Sequence, residues 1–336
     1  MSDARRADIK VTWLSKDITR DLDPHLLGLT YGDNLSGAAD DLGLELEDRD
    51  GLWSGDWKPT LGDTVEVEWS AEPWATTVGT LKTGTYAHDK ITMKGPPRIV
   101  NIKAVSAPLA TGLRRRKRTH GWSGSTLKQI AQDIASRAGM KLLYTAEEGF
   151  HYKRKVQKNQ SDLDFLEKLC KKAGQALKVT DGQIVIFDEL DRDKGDAVCD
   201  IDLTGGNVKE WDFDGDDSDR YGSCRVSCMN PRSKKKIVGV FNDPDRPDGQ
   251  TLEVVHHCDT VAEAKSVARA LLFNANRFAT SGTLTTVGDC GLVAGVIFNL
   301  KNARGFDGKF IIDHAEHHPK GGYTCTLKVR RCLESY

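Results

Sequence analysis

The stretch that decides the fold is DDLGLELEDRDGLW, residues 40–53. Leucine occupies every second position from 42 to 46, with glycine or glutamate in between. Because strand side chains point alternately to two faces, this pattern predicts a strand with one apolar and one polar face. Residues 48–51 predict a turn. We therefore interpret the six acids as the solvated face of a strand and its turn: Asp40, Asp41, Glu45, Glu47, Asp48 and Asp50.

The number of carboxylates raises the question of a calcium site, and the spacing argues against one. With Gly51 as the turn glycine of an EF-hand loop, Leu46 and Trp57 would take the first and last ligand positions, where carboxylates are required. The second acidic run, DFDGDDSD at 212–219, also lacks the glycine and glutamate of such a loop. We interpret that run as a solvated loop.

Period-two patterning covers the N-terminal and C-terminal thirds of the chain. Residues 8–106 contain IKVTW (9–13), TVEVEW (64–69) and two more predicted strands around the Gly-Pro-Pro of 91–106. Short strands separated by Gly, Pro and Asp turns are typical of antiparallel barrels or sandwiches. From 206 onward, seven further segments are predicted strands: RVSCM, KKIVGVF, TLEVVHH, GTLTTV, GVIFNL, KFIIDHAEHH and YTCTLKVRR.

Helical spacing of apolar residues marks two segments between these regions. SGSTLKQIAQDIASRAG (123–139) predicts a helix with Ser125 as N-cap. SDLDFLEKLCKKAG (161–174) predicts a second helix that begins with a capping-box-like Ser161 and Asp164. The apolar stripe of the second helix is predicted to be Leu163, Leu166 and Leu169.

A hairpin and a third helix complete the predicted elements. ALKVTDGQIVIFD (176–188) predicts a hairpin that turns at Asp181-Gly182, so 111–190 form a small α/β unit. TVAEAKSVARALLFNANR (260–277) predicts a helix that interrupts the C-terminal strands and opens at Thr260. The predicted order is therefore a β region, an α/β insert, and a β region with a helix inside it.

The composition is that of a globular protein of two or three domains. The 336 residues include 48 Lys and Arg and 49 Asp and Glu, which argues against a dedicated DNA-binding protein. We expect no secretion signal, membrane anchor or stable membrane association, because no apolar run approaches the ~18 residues of a membrane helix. The eight cysteines are scattered, and we interpret them as reduced thiols.

Two motifs of enzyme chemistry are incomplete. GWSGS (121–125) has Ser125 in place of the second glycine of a nucleophile elbow, and helix capping is the better interpretation. GTLKTGTY (79–86) has two glycines at P-loop spacing, but Thr85 stands where the phosphate-binding lysine is required. We interpret 79–86 as part of a hairpin.

Histidines and cysteines on the C-terminal strands are zinc-ligand types, but their arrangement favours structural roles. Strand alternation puts His314 and His318 on one face and His317 on the other. Cys224 and Cys228 lie too far apart on a strand for a chelating turn. We therefore predict no metal site. The other residues of this type are His256, His257 and Cys258.

The run RRRKR at 114–118 is the most basic segment of the chain. Such a run can contact phosphates or an acidic neighbour in an assembly, and a solvated linker is equally compatible with it. The helix that follows, STLKQIAQDIA (125–135), is similar to one helix of a peptidoglycan-binding LysM repeat.

Five blocks of the chain resemble the late control protein D family of phage tail hubs. The most specific is LTYGDNLSGAADDLGLELEDRDGLWSGDWKPTLGDTVEVEW (29–69). The others follow in the expected order at 95–106, 125–142, 159–179 and 309–330. The same fold is found in R-type bacteriocin hubs and in the N-terminal part of type VI secretion spike proteins. Some relatives carry a fused lysozyme or effector domain, which we do not expect here.

The resemblance implies a homotrimer that adapts a sixfold tail tube to a threefold spike. It implies a spike protein below, the tail tube and tape-measure protein above, and baseplate wedge proteins around the hub. DNA is implied only as cargo that passes through the lumen. The location would be the tail baseplate of a virion or tail-like particle, assembled in the host cytoplasm. We expect Glu45 and Glu47 to face the lumen, where an acidic surface would repel DNA.

The predicted fold is α+β and mainly β. We expect a first tube-like antiparallel β-barrel at 1–110, an α/β insert at 111–205 and a second tube-like barrel at 206–336 with helix 260–277. The predicted function is structural, with no catalytic, metal-binding or cofactor-binding residue and no cofactor. Two alternatives stay open: a tail-associated peptidoglycan-binding protein or hydrolase, and a metal-dependent hydrolase that uses the His and Cys strands.

Overall fold

The computed structural model describes residues 7–71, 79–106, 112–146, 151–180, 182–216, 220–229, 236–256, 258 and 260–336. Strands dominate, which confirms the prediction of a mainly β fold. Among the described residues, no helix is long and apolar enough to cross a membrane. His257 and Asp181, which the sequence analysis singled out, lie outside the described residues, as do residues 217–219.

The elements fall into three consecutive groups along the chain. The first group is β1 (Asp8–Trp13), β2 (Lys16–Asp17), α1 (Thr19–Leu22), β3 (Leu26–Asn34), β4 (Asp41–Glu47), β5 (Thr64–Ser70), β6 (Thr80–Lys94) and β7 (Ile99–Val105). The second is β8 (Arg118–Ser125), α2 (Leu127–Arg137), β9 (Lys141–Tyr144), β10 (Tyr152–Gln160), α3 (Asp162–Ala173), β11 (Gln175–Thr180), β12 (Gln183–Asp188) and α4 (Glu189–Asp193). The third is β13 (Cys199–Asp202), β14 (Val208–Gly215), β15 (Ser223–Met229), β16 (Lys236–Asn242), β17 (Thr251–Val255), α5 (Val261–Asn276), β18 (Thr280–Val287), β19 (Ile297–Lys301), β20 (Gly308–His318) and β21 (Thr324–Arg331).

One 13-stranded sheet joins the first and third groups. Its order is β14-β18-β21-β20-β3-β4-β7-β6-β5-β1-β2, and β19 and β13 branch from β20. β20 is the shared strand: its first half pairs with β19 and its second half with β3, while β21 lies along its other side. The two predicted barrels are therefore hydrogen-bonded to each other, although their closure and the domain boundaries stay predictions.

Strand β4 lies where its pattern predicts, but two of the six acids in the stretch 40–53 are not solvated. Leu42, Leu44 and Leu46 of β4 are all buried in the main core. Asp40 and Asp48 are also fully buried, which corrects the interpretation of all six acids as solvated. Asp48 accepts hydrogen bonds from the Trp53 amide at 2.8 Å and the Ser54 hydroxyl at 2.5 Å, so it organises the turn.

The second group forms a small α/β unit with its own core, as predicted. α2 and α3 pack against β8, β10 and the three-stranded sheet β11-β12-β9. The N-cap of α2 is Thr126 rather than Ser125, which ends β8; Thr126 and Gln129 form a capping box. Ser161 caps α3 as predicted, but Leu163 is only half-buried. The residues that α3 buries are Asp162, Phe165, Leu166, Leu169 and Cys170.

Of two interpretations of local structure, one holds and one is wrong. Residues 80–86 lie in the 15-residue strand β6, which pairs antiparallel with its chain neighbours β5 and β7, as expected of a hairpin. Gly84 has a φ of +78° and lies next to a register shift between β5 and β6. A glycine at this position therefore accommodates a β-bulge. The acidic residues 212–215 lie in strand β14, paired with β18, instead of in a loop.

The third group contains a smaller unit between β14 and β18. β15, β16 and β17 form a separate three-stranded sheet, and α5 packs on one face of it. Thr260 caps α5 by accepting a hydrogen bond from the Glu263 amide, as predicted. Buried Asp243 organises this unit, because it accepts hydrogen bonds from Arg220 and from the Tyr336 hydroxyl, both at 2.8 Å.

Buried charges connect the α/β unit to the main sheet. Lys178 of β11 forms ion pairs with Asp33 and Asp40, at the two ends of the β3–β4 connection. Burial raises the pKa of Asp40, and the nearby ammonium group opposes that rise. Arg330 of β21 binds Asp193 at 2.7 and 2.9 Å, and neither side chain is exposed. A buried ion pair holds its two elements in one arrangement, because separation leaves an uncompensated charge.

His317 of β20 is fully buried in the main core. Its Nδ1 lies 2.8 Å from the Tyr323 hydroxyl and 3.2 Å from the Cys325 sulfur. Tyr31 and Trp69 surround the ring, with centroids 5.8 and 5.7 Å away. Burial lowers the pKa of His317 to about 4, so the ring is neutral at pH 7.

Replacement of Asp193 tests the buried ion pair. We expect Asp193→Asn to lower the free energy of unfolding by about 3–5 kcal/mol, because the buried Arg330 loses both short contacts to a carboxylate and keeps only Asp313, 4.0 Å from its Nε. The matched control is Asp191→Asn in the same helix, whose side chain is 62% exposed. The control should cost less than about 1 kcal/mol. Chemical denaturation followed by tryptophan fluorescence compares them, and equal destabilisation would contradict the assignment.

Acid titration tests the neutral state of His317. A histidine whose folded pKa is about 4 instead of 6.5 stabilises the fold fully above pH 6.5, and this contribution is lost as the pH falls toward 4. The difference corresponds to roughly 3 kcal/mol. We expect His317→Gln to remove that part of the pH dependence, measured as unfolding free energy between pH 7 and pH 4. The half-exposed His318→Gln should keep it; the same profile in both variants would refute this explanation.

Candidate assembly surfaces

The polar face of the main sheet is a large surface on which acids and bases alternate. In three neighbouring strands, Glu68 lies between Lys10 and Lys82, at 3.1 and 3.5 Å. On β20 the carboxylate of Glu316 lies 3.0 Å from His318. Alternating charges across strands stabilise the sheet modestly and leave no large field of one sign.

Glu45 and Glu47 lie on this polar face, as the alternation of β4 predicts. Each has a basic partner: Lys94 contacts Glu45 at 2.9 Å, and Arg49 contacts Glu47 at 2.8 Å. The surface around β4 is therefore mixed in charge and not purely acidic. Whether these side chains face a lumen stays a prediction.

At one end of the sheet, strand β14 exposes aromatic side chains. Trp211 lies opposite Leu284, which is fully buried, yet Trp211 itself is 55% exposed. The next residue on that face, Phe213, packs against Phe306 and Phe310 at centroid distances of 5.7 and 5.6 Å. The apolar face of the sheet thus reaches its edge strand and is left uncovered there.

At the other end, the β1–β2 turn and the loop before β5 form an aromatic cleft of about 440 Å³. Trp53 and Trp57 meet edge to face at 5.3 Å on its wall. Leu14 and Trp57 are 58% and 45% exposed. The Trp53 indole nitrogen is buried and has no hydrogen-bond partner among the described residues. This end therefore also exposes apolar surface, of a different shape from the β14 end.

Neither sheet end is evident from the sequence. For the β14 end, the nearest signal is Trp211, which directly precedes the acidic run at 212–219. For the cleft, the signal is two tryptophans four residues apart in a segment rich in turn residues. Neither pattern separates an exposed aromatic residue from a buried one without the fold.

Among the described residues, histidine and cysteine side chains meet in pairs, His317 with Cys325 and His256 with Cys258. Within the described part of the chain, no group of three His, Cys, Asp or Glu side chains is arranged to hold a metal ion. His314 and His318 are half-exposed and His317 is buried, which confirms their predicted alternation. His256 and Cys258 lie 3.6 Å apart on a loop.

Burial also makes two of the thiols poor nucleophiles. It raises the pKa of Cys224 to about 11 and of Cys325 to about 12.

The basic run at 114–118 leads into β8. Two of its arginines form ion pairs: Arg115 with Asp89 at 3.0 Å, and Arg118 with Asp162 at 3.5 Å.

Comparison with known proteins gives consistent relatives. A family model described as phage tail baseplate hub (GPD) matches residues 101–322. The probable baseplate hub protein of Escherichia phage 186 is 29% identical over 256 residues, 72% of this chain. That of Escherichia phage P2 is 29% identical over 176 residues, 52% of this chain. The matched parts span 62% and 43% of those two relatives.

Solved structures share the fold. The 43 kDa tail protein of prophage MuSo2 from Shewanella oneidensis is similar with a TM-score of 0.74 and 16% identity, over 98% of this chain and 100% of that one. An E. coli type VI secretion component, described as similar to the T4 tail proteins gp27 and gp5, has a TM-score of 0.58 and 12% identity over 93% and 75%.

These relatives are named as hub, tail and secretion proteins and not as enzymes, in agreement with the predicted structural role. The family model covers most of the chain and includes four of the five blocks on which the resemblance to late control protein D was based, in whole or in part. The chain belongs to the phage tail baseplate hub (GPD) family.

Proposed function

We propose that the chain forms a trimeric ring in the baseplate of a contractile tail or tail-like particle and adapts the sixfold tube to the threefold spike. In this proposal the two strand groups act as two tube-like barrels, with domain boundaries near residues 110 and 205. One observation carries the proposal: a single sheet contains both groups and ends in two unlike, uncovered apolar surfaces.

The unlike sheet ends favour a ring over a two-fold dimer. A two-fold interface buries the same patch from both subunits, whereas a head-to-tail interface joins two different patches and closes when the rotation permits. The β14 end presents Trp211, and the opposite end presents Leu14 and the aromatic cleft. An exposed edge strand with aromatic residues is an aggregation hazard unless a partner covers it. A neighbouring subunit is the partner that we propose.

The remaining parts of the proposal concern the surroundings of the ring. The polar face of the main sheet, with Glu45 and Glu47, would line the lumen through which DNA passes in a phage. The spike would dock below, the tube and tape-measure protein above, and wedge proteins around the outside. Assembly would take place in the host cytoplasm. The hub family and the likeness to a type VI secretion component support this set of partners.

Co-expression with the spike protein encoded by the same tail gene cluster tests the ring. We expect a stable 3:3 complex, because the spike would supply the threefold template that the isolated hub lacks. Size-exclusion chromatography with light scattering gives the stoichiometry. A stable complex of another stoichiometry, or persistent failure to associate, would rule out the proposed adapter.

A charge at the sheet end tests the proposed head-to-tail interface. We expect Trp211→Lys to abolish the 3:3 complex, because a lysine cannot be buried there without a partner. The matched control is Leu143→Lys, which replaces a similarly exposed apolar residue of the α/β unit. Thermal unfolding should be nearly unchanged in both variants. Retention of the complex by Trp211→Lys, or its loss in both variants, would contradict this interface.

A further inference from the structure

The α/β unit carries a concentration of positive charge for which the hub function does not account. We define the basic ribbon as residues 112–117 together with strands β8 and β10. It contains nine lysines and arginines and no acidic residue, in a chain whose bases and acids number 48 and 49. The charge is therefore concentrated in one place and not a property of the whole protein.

The two strands of the ribbon have one covered and one open face. They pair antiparallel, with Ser123 opposite Arg154 and Gly121 opposite Val156. Trp122 and Gln157 point inward: the Trp122 ring stacks on Phe165 of α3 at 5.1 Å, and Gln157 is fully buried. Because side chains alternate along a strand, the residues next to Trp122 in β8 and next to Gln157 in β10 point to the outer face. That face carries Arg154 and Lys158 beside residues with small side chains on β8.

Only part of the positive charge is neutralised inside the molecule. Asp89 pairs with Arg115, and Asp162 pairs with Arg118. Glu147 and Glu148, which precede β10 in the sequence, lie outside the described residues. Five basic residues have no ion-pair partner in the part of the chain that the structure describes: Arg114, Arg116, Lys117, Arg154 and Lys158.

One guanidinium nitrogen adds a second observation. Arg114 Nη1 is buried and has no hydrogen-bond partner among the described residues. A buried charged donor without an acceptor is costly, and an anion beside it would remove that cost. Arg114 lies directly before the exposed Arg115, Arg116 and Lys117, so such an anion would sit at the entrance to the ribbon.

The side chains of the ribbon suit phosphate better than an acidic protein surface. Protein interfaces have a core of apolar and aromatic residues, and no large apolar side chain is exposed on the ribbon among the described residues. Phosphates are bound by Arg, Lys, Ser and Thr side chains and by backbone N–H groups. Gly121, Ser123 and Gly124 have no bulky side chain, so a phosphate chain can approach the β8 backbone closely.

We propose that the basic ribbon binds the phosphate backbone of duplex DNA without sequence preference. β10 has nine residues and is about 30 Å long, which is enough to follow several phosphates of one strand. Arg154 and Lys158 of the outer face would contact phosphate oxygens, and such contacts carry no sequence information. The proposal does not depend on ring formation, because the ribbon belongs to a unit with its own core.

Fluorescence anisotropy with the full-length chain and a fluorescein-labelled random duplex of about 30 base pairs tests the proposal. Affinity is measured between about 50 and 200 mM salt, where phosphate contacts give a steep salt dependence. We expect Arg154→Gln/Lys158→Gln to weaken binding severalfold at the lowest salt. The slope of log affinity against log salt should fall by about 2, one for each phosphate contact removed.

The matched control is Arg20→Gln/Lys58→Gln, which removes two exposed positive charges outside the ribbon. It should leave affinity and salt slope unchanged, and both double variants should keep the thermal midpoint of the wild-type chain. Equal weakening by the two double variants would overturn the proposal, because binding would then follow net charge alone. Absence of DNA binding would also overturn it. If poly-L-glutamate binds the ribbon where DNA does not, the partner is an acidic polypeptide and the proposal is wrong.

Discussion

The arrangement of the whole molecule depends on charges that have been removed from water. Lys178 of the α/β unit lies between Asp33 and Asp40 of the main sheet, and Arg330 of the sheet lies against Asp193 at the end of α4. Desolvation of each charge costs several kcal/mol, and only its partner offsets that cost. The α/β unit therefore has one position relative to the sheet in which every buried charge is paired.

This constraint also explains where sequence reasoning succeeded and failed. The leucines of β4 and the caps of α3 and α5 are local signals, and the chain folds locally as they predict. Asp40 and Asp48 belong to the same stretch as those leucines. Asp48 is bonded locally by Trp53 and Ser54, but the lysine that pairs with Asp40 comes from another part of the fold. Strand alternation gives the direction of a side chain, not what covers it. An aspartate that pairs with Lys178 is indistinguishable in the sequence from a solvated one.

The order of strands in the main sheet could not be predicted from the sequence either, because it also depends on partners that are distant along the chain. The pairing of β20 with β3 joins residues whose positions differ by 280 or more, and no local pattern specifies such a partner. The aromatic ends of the sheet follow from that order: β14 is an edge only because β18, β21 and β20 lie on its other side. Family resemblance supplied the architecture that periodicity could not, and the contacts in the structure explain how it is held.

The shared strand β20 has a consequence for synthesis of the protein. Ribosomes add about 5–20 residues per second, so roughly 15–60 s separate the emergence of β3 from that of its partner. Throughout that interval the N-terminal strands have formed at most a partial sheet, with the backbone groups along one side of β3 unsatisfied. The nascent chain must therefore either keep this edge from pairing with other chains or delay its folding until β20 appears. Translation speed through the α/β unit, which lies between the two strands, sets the length of that exposure.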